Sequence, residues 1–323
     1  MSRKTQQELM SSSRSDPKRR RSQLLALALV AAPLTAVAGV NDLIQAVRQS
    51  EFSFARVASD VPYYPLGWAQ NHSYPRAQFE NQGALPDAEV VENTFDLGAV
   101  LPAYVAPRDM LLLGGNLALD SHFVSSGPYP DQTVLQLVPV AAWLHQFGRN
   151  ETVGVFAAPI LSKDLQGNSP WGASGYAGLI AMHHFSDQFQ LLYGGVYENS
   201  FGQSSGYPYL GVLWLPSPNW SVDLVFPWPT ISYVPHERWL LQLGVAPGGS
   251  SWVQRGNNLE TTQTFGSWNL TAGVGYRLQK SLWLFAGAGV AGLRGLKIQG
   301  GGDEANFDMK PSPVFTLALQ FRP

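Results

Sequence analysis

Several stretches of this chain set an apolar residue at every second position. The longest runs Trp268, Leu270, Ala272, Val274, Tyr276 and Leu278, with Asn269, Thr271, Gly273, Gly275 and Arg277 between them. Successive side chains of a strand point to opposite faces, so such a stretch has one greasy face and one polar face. The rhythm recurs in Trp220, Val222, Leu224 and Phe226, in Trp239, Leu241, Leu243 and Val245, and in Phe189, Leu191, Tyr193, Gly195 and Tyr197. One alternating strand is a weak signal. Its repetition along a chain, with short polar turns alternating with longer loops, is the pattern of a transmembrane β-barrel.

The amino terminus sets the compartment. A basic run, Lys18 to Arg21, precedes an apolar core from Leu24 to Leu34, and Ala36-Val37-Ala38 precedes Gly39. That is the order of a cleaved secretory signal, read here as residues 1–38. Its core is shorter than the roughly 20 residues a membrane helix needs. Translation from Met10 would leave the same signal. Gln23 stands where a twin-arginine signal takes an apolar residue, which favours the general secretory route.

Of the 21 Lys and Arg and 23 Asp and Glu, seven and two lie in residues 1–38, leaving 14 basic and 21 acidic residues and a formal charge of −7. No basic footprint for nucleic acid remains. With no cysteine there is neither a disulfide framework nor a thiolate metal site. A mean hydropathy near zero beside 10 Trp, 12 Tyr and 16 Phe suits a barrel, in which lumen-facing residues dilute lipid-facing ones.

The expected fold is all-β: an antiparallel up-and-down transmembrane barrel of about 12 to 14 strands. Residues 39–92 read as a lead-in, a first strand over Phe52–Ala58, and a long loop or lumen plug rich in proline (Pro62, Pro65, Pro75, Pro86). Residues 93–323 form the main part of the barrel. Short turns fall at 107–109, 146–150, 186–187, 216–219, 235–237 and 279–280, and longer Gly/Ser/Asn/Pro-rich connections at 125–131, 162–172, 247–261 and 299–312. This parity puts both termini on the periplasmic side. The stretches 219–226 and 230–235, split by Pro227-Trp228-Pro229, are shorter than the roughly 9–11 residues a spanning strand needs. Trp143, Trp214, Trp220, Trp239, Tyr276 and Trp283 cluster near the short turns, where an aromatic girdle is expected. The last strand places Phe315, Leu317, Leu319 and Phe321 on one face, although Arg322 and Pro323 follow the usual terminal aromatic.

If the apolar positions face lipid, Gln190, Glu198, Asp223 and Gln242 face the lumen, as do Asn269, Thr271, Arg277 and Gln320, because a charge on the lipid face costs about 2–4 kcal/mol near the midplane. Such a lumen can pass or hold a small hydrophilic solute, or be filled by a satisfied polar network. His122 near Ser125 and Ser126, or His183-His184 near Ser186, raises a lipid-modifying enzyme as an alternative, but no motif fixes a triad and adjacent strand residues face opposite sides. No catalytic residue is assigned. Asp303, Glu304 and Asp308 are oxygen donors of the type Ca²⁺ takes, yet a solvated loop accounts for them; no metal or cofactor is expected.

Segments such as Asn219-Trp220-Ser221-Val222-Asp223-Leu224-Val225-Phe226-Pro227, Ile231-Ser232-Tyr233 and Leu210-Gly211-Val212-Leu213-Trp214 resemble a family of outer-membrane β-barrels known only as a domain of unknown function. The resemblance covers most of the chain from Phe95 onward. It implies a barrel in the bacterial outer membrane and supplies no catalytic residues. The expected partners are outer-membrane lipids, the barrel assembly machinery during biogenesis, and a small solute. The expected role is a pore or uptake channel, with a lipid-modifying enzyme or a surface-binding scaffold as alternatives.

Refolded residues 39–323 are expected to run as a compact band on an unheated gel and to shift on boiling. A band indifferent to heating would contradict the barrel.

Overall fold

A strand crossing hydrocarbon has no water to satisfy its N–H and C=O groups, so both of its edges must be paired. The computed structural model meets that demand by closing one antiparallel sheet on itself. It describes residues 59–80, 89–124, 131–166, 169–199, 204–256, 259–300 and 303–322. The signal segment, the lead-in before residue 51 and the strand expected over Phe52–Ala58 lie outside these residues.

The strands are β1 Gly67–Gln78, β2 Glu89–Val105, β3 Asp109–Val124, β4 Gln132–Phe147, β5 Glu151–Asp164, β6 Gly172–Ser186, β7 Phe189–Glu198, β8 Ser205–Ser217, β9 Trp220–Val225, β10 Thr230–His236, β11 Trp239–Gly256, β12 Leu259–Gln279, β13 Leu282–Gly300, β14 Asp303–Met309 and β15 Ser312–Phe321. From β1 to β13 each pairs with its neighbours in sequence, and β1 closes the ring on β15, from Gly67↔Phe321 to Ser73↔Phe315. β14 and β15 follow one another along β13 and act as a single stave, so the ring has fourteen.

The faces follow the alternation. Leu179, Leu210, Leu224, Leu270, Leu317 and Phe315 point outward and are half exposed or more. Greasy surface on that scale is a lipid-facing belt. Trp143, Trp214, Trp220 and Trp239 stand outward on the turn side of this belt, and Tyr276 packs edge-on against Trp239 at 4.9 Å between ring centroids.

Trp283 departs from the expected girdle. Leu284, Ala286, Ala288 and Val290 take the lipid face of β13, so Trp283 points inward and is 1% exposed. There it covers Gly275, where no side chain competes for the space, and stacks under Arg277 at 4.8 Å.

The proline-rich region expected as a loop contains a barrel strand, β1. Its Pro75 falls in a bulge between Tyr74 and Ala77, where two residues oppose one and the missing N–H costs no ladder bond. Among the described residues of that region, Ser59–Leu66 alone behaves as a plug. The long connections expected at 247–261 and 299–312 are instead ribbons that extend the β11–β12 and β13–β14 pairing beyond the belt.

Two local breaks shape the wall. Pro139 and Pro159 face each other across β4 and β5, and the ladder is silent from 138 to 140 because neither proline has an N–H to give. In β13 a bulge opposite Ser267 holds Leu293 at φ +46°, a left-handed conformation costly for a leucine. The bulge inverts the alternation: Ala291 and Arg294 both point inward, and Leu293 is 85% exposed.

Deleting Leu293 removes the extra residue of the bulge and leaves Arg294 in step with Ala291 on the inner face. Urea unfolding of the heat-modifiable band is expected to show the ion pair kept, with none of the loss of about 3–5 kcal/mol that orphaning one partner brings, and Leu293→Gly should gain up to about 1 kcal/mol by relieving the backbone.

Candidate functional site: a polar chamber between two closures

The lumen divides into three storeys. Near the turns, Val61, Val234, Leu240 and Trp283 form a buried apolar layer. Near the loops, Phe79, Val90, Val134, Trp252, Phe265 and Leu296 form another. Between them lies a chamber of about 520 Å³.

The lower closure is the strap Ser59–Leu66. At one end the Leu66 N–H donates to the Phe321 carbonyl at 2.9 Å, and the Val100 N–H donates to Leu66 at 2.8 Å. At the other end, half the ring away, the Asp60 N–H donates to the Pro218 carbonyl in the β8–β9 turn at 2.7 Å. Between these anchors Tyr64 donates to Asp223 at 2.6 Å, and the Arg322 guanidinium donates to the Tyr63 carbonyl at 3.3 Å and to Gln320 at 2.8 Å. The terminal arginine that departs from the usual barrel ending thus faces inward and helps to hold the strap.

The upper closure is the end of the β11–β12 ribbon. Gly249 has φ +127°, and a β-carbon there would strike the Phe265 carbonyl, so only glycine permits this turn of the ribbon. Beyond it the ribbon leans across the lumen, with Val253 against Gly172 of β6. His122 lies between Trp252 and Phe265, at 5.6 Å and 4.8 Å between ring centroids.

A buried ion pair braces this storey. Arg294 bonds Glu92, donates to Ser312 at 2.6 Å, and stacks its guanidinium on Tyr74 at 4.9 Å. The pair joins β13 to β2 across β15 and β1, the strands that close the ring.

The chamber wall is polar on the side of β1–β3. Asp96 accepts from Trp68 and from Gln70 at 2.6 Å, His72 bonds Thr316 at 2.9 Å, and Asp120 sits beside Thr94 and Ser250. Asn116 Oδ1 is buried with no hydrogen-bond partner. Among the described residues no lysine or arginine lines the chamber.

The expected lumen residues fall in three groups. Gln242, Asn269, Thr271 and Gln320 line the chamber, with Gln242 donating to Ser232 at 3.0 Å and Asn269 to Tyr74 at 2.9 Å. Asp223 is buried at the strap, with Ser221 donating at 2.5 Å, and Arg277 lies over Trp283. Gln190 and Glu198 point inward from β7 on the far wall, where Tyr207 donates to Glu198 at 3.1 Å. That wall is otherwise apolar at mid-depth, with Val140, Ala158, Ile180, Leu192 and Val196 facing in.

Sequence reasoning did not assign Glu92, Asp96, Asp120 or Arg294. The alternation of Val91, Asn93, Phe95 and Leu97 carries the signal for the first two. Arg294 has none, because its orientation depends on the bulge. Ser125 and Ser126 lie outside the described residues. His122 approaches Ser250 instead, at 3.5 Å, with both about 1% exposed. His183 and His184 face opposite sides, and Ser186 caps its own turn by accepting from the Gln188 N–H. Glu304 is held by Asn306, Gln299 and Lys297, which keep its carboxyl down at about 2 on the exposed β13–β14 ribbon. Among the described residues no three histidines or carboxylates converge as metal ligands.

Residues 168–322 match the family model of a domain of unknown function, DUF6268. No curated protein matches the chain. Among solved structures, an outer-membrane channel from Pseudomonas putida F1 is 12% identical with a TM-score of 0.45, covering 81% of this chain and 97% of that one. The TodX monoaromatic hydrocarbon channel is 10% identical with a TM-score of 0.36, covering 83% and 94%. The outer membrane phospholipase A of Escherichia coli is 12% identical with a TM-score of 0.33, covering 80% and 97%.

Glu92→Gln should destabilise the folded barrel by about 3–5 kcal/mol, because it leaves the Arg294 charge buried without its partner. The double replacement Glu92→Leu with Arg294→Met should recover most of that loss. Urea midpoints of the three chains test both expectations.

Proposed function

We propose that this transmembrane barrel, which carries a domain of unknown function over residues 168–322, is an outer-membrane channel for small solutes, held shut in the present state. The outer-membrane placement is supported by the cleavable export signal, the even stave count and the apolar belt, since closed barrels of this kind suit that membrane. The observation that carries the channel reading is the chamber of about 520 Å³ held between the strap, which is not a stave of the ring, and the inward-leaning end of β11 and β12. The strap can move without unpairing any two staves, so opening the floor costs side-chain contacts and a few hydrogen bonds but not the ladder, whereas the ribbon is paired to β13 through Thr262–Gly266 and stays with the wall. A lumen meant only to be structural would be filled with side chains at mid-depth, as small barrels are.

A lipid-modifying enzyme gains less support. The Ser250–His122 approach is sealed beneath Trp252 and Phe265, out of reach of an acyl chain in the bilayer. The lining charges also predict an ion preference. Asp96 and Asp120 in the chamber, with Asp223 below it, favour cations.

Removing residues 59–65 is expected to raise single-channel conductance in planar bilayers several-fold over the mature chain, with cations carrying most of the current. Equal silence of the two proteins, both folded by the gel shift, would remove the channel reading.

A further inference from the structure

The ring is not of even height. β9 has six residues and β10 seven, whereas their neighbours β8 and β11 have 13 and 18. Pairing between β8 and β9 begins at Gly211↔Val225, and pairing between β10 and β11 stops at Thr230↔Gly244. Above that level, among the described residues, Ser205–Leu210 of β8 pairs with β7 alone and Ala246–Gly256 of β11 with β12 alone. Two strand edges therefore flank a notch in the wall. Its sill is the turn Phe226-Pro227-Trp228-Pro229, where Phe226 and Trp228 are more than half exposed and Phe226 lies 5.8 Å from the lipid-facing Trp268.

The notch leads inward. Trp228 on the sill lines the chamber, and so does Val245, which shares the lipid-facing side of β11 with Leu241 and Leu243. The cavity therefore reaches the wall at the sill of the notch. Its two ends differ in chemistry. At the notch the surfaces are the Trp228 ring, Val245, Ala246 and Pro247. At the far end are hydrogen-bond acceptors: the carboxylates of Asp96 and Asp120 and the unpartnered Asn116 Oδ1. With no lysine or arginine among the described residues that line it, the chamber offers an anionic head no cationic partner and a cationic head two carboxylates.

From this arrangement we infer that the chamber is a binding site entered sideways from the bilayer by a cationic amphiphile, whose ammonium head meets Asp96, Asp120 and Asn116 while its apolar tail rests on Trp228 and Val245 in the notch. The inference deepens the channel reading by naming the class of solute, and rests on it for the route onward. The binding itself stands on the chamber and the notch.

The test uses the refolded mature chain in nanodiscs, with tryptophan fluorescence quenched on contact by 11-bromoundecylammonium, and 11-bromoundecanoate as the anion of matched tail. The cation is expected to give a saturable phase above the linear quenching of the girdle tryptophans, at least ten-fold tighter than any phase from the anion. That phase should vanish in Trp228→Phe, an exposed position whose change leaves the staves intact, and weaken at least ten-fold in Asp120→Asn. Linear quenching alone, equal binding of the anion, or a phase unchanged in Trp228→Phe would overturn the site. Should Asp120→Asn not fold, the Trp228→Phe and anion comparisons decide. Conductance of the same preparation separates the two readings: conductance without a saturable phase keeps the channel and removes this site, and a saturable phase without conductance does the reverse.

Discussion

Everything in this molecule depends on the pairing of β1 with β15. A sheet in hydrocarbon that is left open exposes two rows of unsatisfied N–H and C=O groups, each costing several kcal/mol. Seven residue pairs, from Gly67↔Phe321 to Ser73↔Phe315, remove both rows at once. Closure fixes the antiparallel parity around the ring, brings the two ends of the sheet to the same rim, and creates an inside. It is also the shortest continuous ladder among the full-height staves, because the Tyr74–Ala77 bulge and the break at Lys310-Pro311 interrupt it before the seam resumes at the Phe79↔Met309 bridge.

The brace behind that seam offsets its shortness. Arg294 reaches from β13 past β15 and β1 to Glu92 on β2, and Tyr74 of β1 stacks on the guanidinium. A buried ion pair is weak evidence of net stability, since desolvation consumes much of the attraction. Its value here is specificity: an unpaired Arg294 or Glu92 penalises any register that separates β13 from β2. The strained Leu293 backbone is the local cost of aiming Arg294 inward.

The upper closure and the notch share one origin, the unequal height of the strands. Where β9 and β10 stop early, the upper part of β11 has no partner on that flank and leans over the lumen, hinged at Gly249. The movement that roofs the chamber also uncovers its side. Below, the strap uses Arg322, so the segments that precede β1 and follow β15 close the floor from both directions. The inner wall is correspondingly two-sided, acceptor-rich on β1–β3 and apolar at mid-depth on β4–β8.

Period-two alternation determined by itself that the chain is an antiparallel barrel, and which face of each regular strand meets lipid. Asp223, Gln242, Asn269, Thr271 and Gln320 point inward because a sheet residue has only two faces, and lipid excludes their polar groups from one of them. Only the tertiary structure decided what lay at exceptions to the alternation or across the ring. Proline content hid β1, because a bulge that absorbs Pro75 exists only once β2 is beside it. Trp283 left the expected girdle because it shares the inner face of β13 with Phe285, opposite Arg277, while Leu284 takes the lipid side. Arg294 reversed its face through a bulge set by register with β12, and Glu92, 202 residues away in sequence, became its partner only when the ring closed. Alternation is a local property that a sequence carries in full. Bulges, cross-lumen contacts and the height of a wall depend on which strands stand next to one another.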